Sequence, residues 1–200
     1  PLLRTCQIFF EGNFTEYPRL SDCIKLLIIN IYCITDTEPF NNDPLDSKNM
    51  TAILLVSSFN GFGLHTLLSI VRHFPGIYKN FLFVSVAEVD SGSFKGVAEI
   101  QALQASVKHD LEKYVKVARV HGFPADYRTE IATDVVDSVT NLVGKTVTEF
   151  PLSTIFTGKL IFKQEHPFQK ILHNETAHSI QRRLQWNGIP TVILPIRVDV

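Results

Sequence analysis

His173-Asn174-Glu175-Thr176-Ala177-His178-Ser179-Ile180-Gln181-Arg182-Arg183-Leu184-Gln185-Trp186-Asn187-Gly188-Ile189-Pro190-Thr191-Val192-Ile193-Leu194-Pro195-Ile196-Arg197-Val198 joins a polar helix start, a basic helix face, a glycine stop and an apolar strand. A helical stretch that stops at glycine and turns into a β-branched run reads as the last helix and strand of an α/β sheet. Trp186 is expected to pack under the sheet edge. The same alternation recurs upstream. Thr51–Ser57 (TAILLVS) is a short apolar run typical of a strand buried on both faces, followed by the glycine loop Asn60-Gly61-Phe62-Gly63 and a helix from about Leu64 to Phe74.

Phe81–Ala87 (FLFVSVA) is a second strand, leading through Asp90-Ser91-Gly92-Ser93 into a long helix from about Val97 to His121. Its Val97, Ile100, Leu103, Val107, Leu111, Tyr114, Val115 and Ala118 recur at three- and four-residue steps, giving one buried stripe with Lys108, Glu112, Lys113 and Lys116 toward water. Gly122 can end that helix in a left-handed conformation. Ala125–Ala132 alternates as a strand with one wetter side, near an edge. Thr133 or Asp134 caps a helix whose Val135, Val136, Val139, Leu142, Val143 and Val147 form another stripe ending near Phe150-Pro151. Ser153–Thr157 is the fourth strand, and Lys159–Pro167 a longer connection. This order of elements demands a doubly wound α/β fold: a mainly parallel five-stranded sheet with right-handed crossovers and helices on both faces.

Composition bounds the function. The 200 residues suit one domain plus an appendage, with 45% hydrophobic residues to supply a core. A net charge of −1 offers no concentrated basic field, so no nucleic-acid partner is expected. Cys6, Cys23 and Cys33 are an odd set without C-x-x-C spacing, which argues against a disulfide framework or zinc site and for a reducing compartment. The chain opens on Pro1, as a piece of a longer polypeptide would, although removal of an initiator Met would look the same. The apolar run Ile24–Ile34 is about half of the roughly 20 residues that span a bilayer, so neither a transmembrane helix nor a signal peptide is expected. Residues 1–34 read as an arm docking on the domain or as a membrane-proximal connector. Thr35–Asn49, rich in Asp, Asn and Thr and carrying Pro39 and Pro44, reads as a linker. The organisation is therefore an N-terminal arm and linker over 1–50 and an α/β domain over 51–200.

Phe83-Val84-Ser85-Val86 with Val89-Asp90-Ser91-Gly92-Ser93-Phe94-Lys95-Gly96, Ala132-Thr133-Asp134-Val135-Val136, Thr157-Gly158-Lys159-Leu160-Ile161-Phe162, and Leu172-His173-Asn174-Glu175-Thr176-Ala177 with Gln181-Arg182-Arg183-Leu184-Gln185-Trp186 carry a resemblance. Over roughly residues 51–198 the chain resembles the soluble carboxy-terminal, universal-stress-protein-like domain of bacterial amino-acid permeases of the amino acid-polyamine-organocation type. The resemblance implies strand order 3-2-1-4-5 and a place on the cytoplasmic side of the bacterial inner membrane. It also implies the transmembrane transporter region of the same polypeptide as partner, and a regulatory or sensory role through an unknown small-molecule ligand, dimerisation or contact with the transporter. That class often dimerises through its last strand, here Thr191–Val198. A stand-alone universal-stress-type nucleotide-binding protein is the alternative.

ATP-binding members of the universal stress group resemble one another in Gly-x-x-Gly, nine residues, then Gly-Ser/Thr after the fourth strand. Here Gly158 stands alone until Gly188, and Asn174-Glu175 occupies the helix start, where a carboxylate competes with phosphate for the positive helix end. The first strand ends Val56-Ser57-Ser58, without the acidic residue that contacts nucleoside in that group. Ser58, Gly61 and Gly63 then form either a tight strand-to-helix turn, with Thr66 or Ser58 satisfying backbone donors, or a cradle for a small anion. Asp90 and Ser91 are either a helix cap or ligand contacts. Arg182 and Arg183 are a solvated face, a structural pair with Glu175, or a contact for acidic lipid or an acidic partner. No Gly-x-Ser-x-Gly and no H-E-x-x-H occurs, so no catalytic residue, cofactor or metal is expected.

Overall fold

Each of the five apolar runs becomes a strand: β1 (Thr51–Leu55), β2 (Asn80–Glu88), β3 (Ala125–Ala132), β4 (Ser153–Phe162) and β5 (Thr191–Val198). In the computed structural model, which describes residues 41–89, 97–162 and 175–198, they form one all-parallel sheet in the order β3-β2-β1-β4-β5. Four helices alternate with them: α1 (Gly61–His73), α2 (Val97–Val120), α3 (Val135–Glu149) and α4 (Glu175–Trp186). The fold class and the strand order are those expected, with β3 on an edge.

Because side chains alternate across a strand, register decides which residues meet which helix. Ile53 is level with Leu82 and Ile155, and these three pack with Val139, Leu142 and Val143 of α3 and Ile180 and Leu184 of α4. The next row, Leu54, Phe83 and Phe156, faces the other way. There Phe83 stacks on Tyr114 of α2 at 5.2 Å, and Phe156 meets Phe74 and Tyr78 at 5.7 and 5.2 Å.

Local signals behave as their chemistry requires. Asp134 caps α3 by accepting from the Asp137 N–H at 2.9 Å. Gly122 and Gly188 take φ of 84° and 74° where α2 and α4 stop. The stretch read as a linker is held to the domain from residue 41 onward. Asn41 bonds the carbonyls of Arg119 and Gly122, and the Asn80 side chain donates to the Asp46 carbonyl at 2.7 Å.

Three expectations are revised. β4 runs on to Phe162 instead of ending at Thr157, because β5 supplies partners for every residue from Gly158 to Phe162. The buried stripe of α2 is complete only in its second half: Leu111, Tyr114, Val115 and Ala118 are buried, while Ile100, Leu103 and Val107 are half-buried. A helix of 24 residues is about 36 Å long, against about 26 Å for an eight-residue strand, so α2 overhangs the sheet. Trp186 is 90% exposed; two positions past the buried Leu184 it has turned about 200° away from the core.

Leu184 is fully buried between α3 and the sheet. Leu184→Ala should lower unfolding free energy by about 2–5 kcal/mol, measured as a reduced urea midpoint with an unchanged slope.

Candidate functional site

β1 and β4 are neighbours whose connections leave in opposite directions, to β2 and to β5. Open parallel sheets bind ligands outside the carboxyl ends of such a pair. The loop Val56–Asn60 occupies that position, with Ser57, Ser58 and Asn60 exposed.

The loop is closed by the protein's own groups. The Asn60 side chain accepts from the Gly63 N–H at 3.0 Å and starts α1 three residues earlier than sequence periodicity predicts. Asn60, and neither Ser58 nor Thr66, therefore caps the helix; Thr66 instead donates its hydroxyl to the Phe62 carbonyl at 3.0 Å. From α2, the Asp110 carboxylate accepts from the Phe59 N–H at 3.1 Å and from Lys113 at 3.2 Å. The Tyr114 hydroxyl donates to the Ser58 carbonyl at 2.8 Å and accepts from the Asn60 N–H at 3.3 Å. Phe59 lies edge-on to Tyr114 at 4.9 Å, with the Lys113 ammonium 5.5 Å from its ring centre.

Electrostatics follow. A phosphate entering this loop would have to displace Asn60 from the Gly63 N–H and would approach the Asp110 carboxylate. Lys113 offsets part of that charge. The exposed rim offers hydroxyl and amide groups, with the Ser58 hydroxyl accepting from the Asn60 side chain at 3.0 Å. Burial pushes the Tyr114 phenol up to about 12, opposed by its bond from the Asn60 N–H and reinforced by the nearby Asp110. Tyr114 stays protonated and able to donate throughout the physiological range.

Two of the candidate glycines sit at close contacts. A side chain at Gly63 would run into the Tyr114 hydroxyl, so α1 and α2 can approach this closely only with glycine there. A Cβ at Gly158 would lie 2.5 Å from the Phe62 ring and 2.6 Å from the Thr66 hydroxyl, which places α1 directly on β4. Gly61 opens α1. Asp90, Ser91 and Asn174 lie outside the described residues. Arg182 and Arg183 are both exposed, and Arg183 pairs with Asp137 of α3. Ser58, Gly61 and Gly63 thus share one loop and helix start, joined from the sheet by Gly158, while Arg182 and Arg183 belong to α4. Sequence reasoning missed Asp110 and gave Tyr114 only a core role. Their four-residue spacing puts them on one helix face, but only a buried phenol's need for a polar partner hinted at more.

The described fold can be set beside known proteins. The crystal structure of a universal stress protein family member from Burkholderia pseudomallei superposes with a TM-score of 0.51 at 14% identity, covering 76% of this chain and 100% of that one. The fold is that of the universal stress proteins. A universal stress protein from Archaeoglobus fulgidus gives 0.46 at 11% identity, covering 72% of this chain and 92% of that one. No protein-family model matches the chain, and no curated protein matches it significantly. Among the described residues no helix is long and apolar enough to cross a membrane.

Tyr114→Phe should cost about 1–3 kcal/mol by stranding the loop's donor and acceptor. The phenol's raised value favours the folded state fully below pH 10, its ordinary value, and this stabilisation is lost as pH climbs toward 12. Urea titrations of both proteins across that window should show a steeper alkaline decline in the parent chain than in the variant.

Proposed function

We propose that this chain is a regulatory module of universal-stress type, carried on the cytoplasmic side of a membrane transport protein of the amino-acid permease kind. It acts by ligand binding, self-association or contact with the transporter, and it is not an enzyme. The universal-stress fold and the permease-like sequence blocks over residues 51–198 support this reading.

The observation that carries it is the closure of the β1–α1 loop. In a phosphate-binding α/β domain the backbone N–H groups of such a loop are left open to the ligand, and glycine lets them approach it. Here the Phe59, Asn60 and Gly63 N–H groups are taken by Asp110, Tyr114 and Asn60, and Gly158 is covered by Phe62 and Thr66. A loop arranged this way suits a neutral or zwitterionic ligand held through Ser57, Ser58 and Asn60 better than a triphosphate. The fold itself favours a second reading, nucleotide binding, because the loop stands at the β1/β4 switch point.

A thermal-shift scan with ATP, cyclic dinucleotides and amino acids separates the two. A ligand at about 100 times its dissociation constant stabilises by about 2.7 kcal/mol, several degrees for a domain of this size. ATP is expected to leave the melting temperature unchanged and to yield no phosphate. Stabilisation by ATP that disappears in Gly61→Val would reverse the assignment in favour of the nucleotide reading.

A further inference from the structure

Among the described residues five large apolar side chains are exposed, and four of them belong to one end of the sheet. Met50 directly precedes β1, Ile77 stands three residues ahead of β2, Leu152 directly precedes β4, and Trp186 closes the helix that leads into β5. Backbone bonds lace these amino ends into a row. The Lys79 and Asn80 N–H groups donate to the Met50 carbonyl at 2.9 and 3.3 Å, Thr51 to Leu152 at 2.8 Å, and Ile155 to Pro190 at 2.9 Å. Ile77 and Leu152 are each 48% exposed and Trp186 90%. Apolar residues scattered singly over a surface need no explanation, but a gathering of them at one edge marks a contact surface.

Charge and the exposed tryptophan point to the occupant. Asn41 donates through its main chain to Arg119 at 3.1 Å and through its amide to Gly122 at 2.9 Å, both where α2 ends and turns toward β3. Lys48, Lys79 and Arg182 are exposed around the apolar row, and Arg182 lies one turn before Trp186 on the same face of α4. Against them stand Asp43 and Asp46, of which Asp46 already accepts from the Lys48 N–H at 2.9 Å, while Asp126 and Glu149 at the same end are both paired with Arg128. Tryptophan favours the headgroup level of a bilayer, where its ring is half in hydrocarbon and its N–H remains wet. Lysine and arginine reach past such a ring to phosphate.

We propose that the amino-terminal edge of the sheet docks on an anionic lipid bilayer, with Trp186, Ile77, Leu152 and Met50 at the headgroup boundary and Lys48, Lys79 and Arg182 on lipid phosphates. The inference rests on the membrane setting of the proposed regulatory module and specifies which face of the domain meets the bilayer. Trp186 is the chain's one tryptophan, so its emission reports this edge alone.

The 200-residue chain is titrated with vesicles of phosphatidylcholine and with vesicles of phosphatidylcholine and phosphatidylglycerol. The mixed vesicles should blue-shift Trp186 emission and shield it from acrylamide. Lys79→Gln should weaken partitioning about fivefold. Ile77→Ser with Leu152→Ser should abolish the shift while leaving the melting temperature within error of the parent. Unchanged emission with both vesicles overturns the proposal, and an equal shift with phosphatidylcholine alone overturns its anionic part. Emission already shielded in buffer would assign the edge to another segment of the chain, and shielding that grows with protein concentration would assign it to a second copy; either result overturns the bilayer. A failed vesicle titration leaves the ligand scan standing, and a response to ATP in that scan leaves this edge untouched.

Discussion

Tyr114 ties the switch-point loop to the sheet, and much of the local arrangement depends on its position. Its ring stacks on Phe83 of β2 while its hydroxyl spans the Ser58 carbonyl and the Asn60 N–H. This geometry is open to it only because Gly63 leaves room at the first turn of α1. One side chain thereby couples a central strand, the β1–α1 loop and the contact between two helices. Burial keeps the phenol neutral, so the coupling holds at any ordinary pH. Asp110, one turn earlier, adds the bond to Phe59 and completes the anchorage.

The fold was legible because its signals are local and periodic. Thr51–Leu55 and the core of β2 read as buried strands from unbroken apolar runs, and Asp134 and Gly122 marked helix ends by their own chemistry. The site was only partly legible. The loop carrying Ser58, Gly61 and Gly63 was visible because it leaves a central strand, but the Asp110 and Tyr114 groups bonded to it come from α2, some 50 residues on. Gly158 stood out in sequence as the lone glycine of an incomplete phosphate-binding pattern; the close approach of Phe62 and Thr66 to it exists only after folding. Trp186 was misjudged for a simpler reason: an aromatic residue at a helix end invites burial, while the angular position two residues after Leu184 forbids it.

The two ends of the sheet have opposite characters. At the carboxyl end the Phe59, Asn60 and Gly63 N–H groups of the polar loop are bonded internally, and the Asp110 carboxylate is paired with Lys113. At the amino end, by contrast, apolar groups stand in water beside lysines, and the segment from Asn41 is fastened there. Open parallel sheets bind ligands at their carboxyl ends; among the described residues of this chain, most of the exposed large apolar side chains gather at the other.

The overhang of α2 divides that helix in another respect. From Leu111 onward its buried residues pack into the core with Phe83 and the β1–α1 loop, and amides held this way are expected to exchange only when the domain unfolds as a whole. Ahead of Val107 the described side chains are half-buried or exposed, and amides there are expected to open by local fraying at smaller free energy. A single continuous helix would then behave as two thermodynamic units, with their boundary one turn before Asp110, beside the residues bonded to the loop.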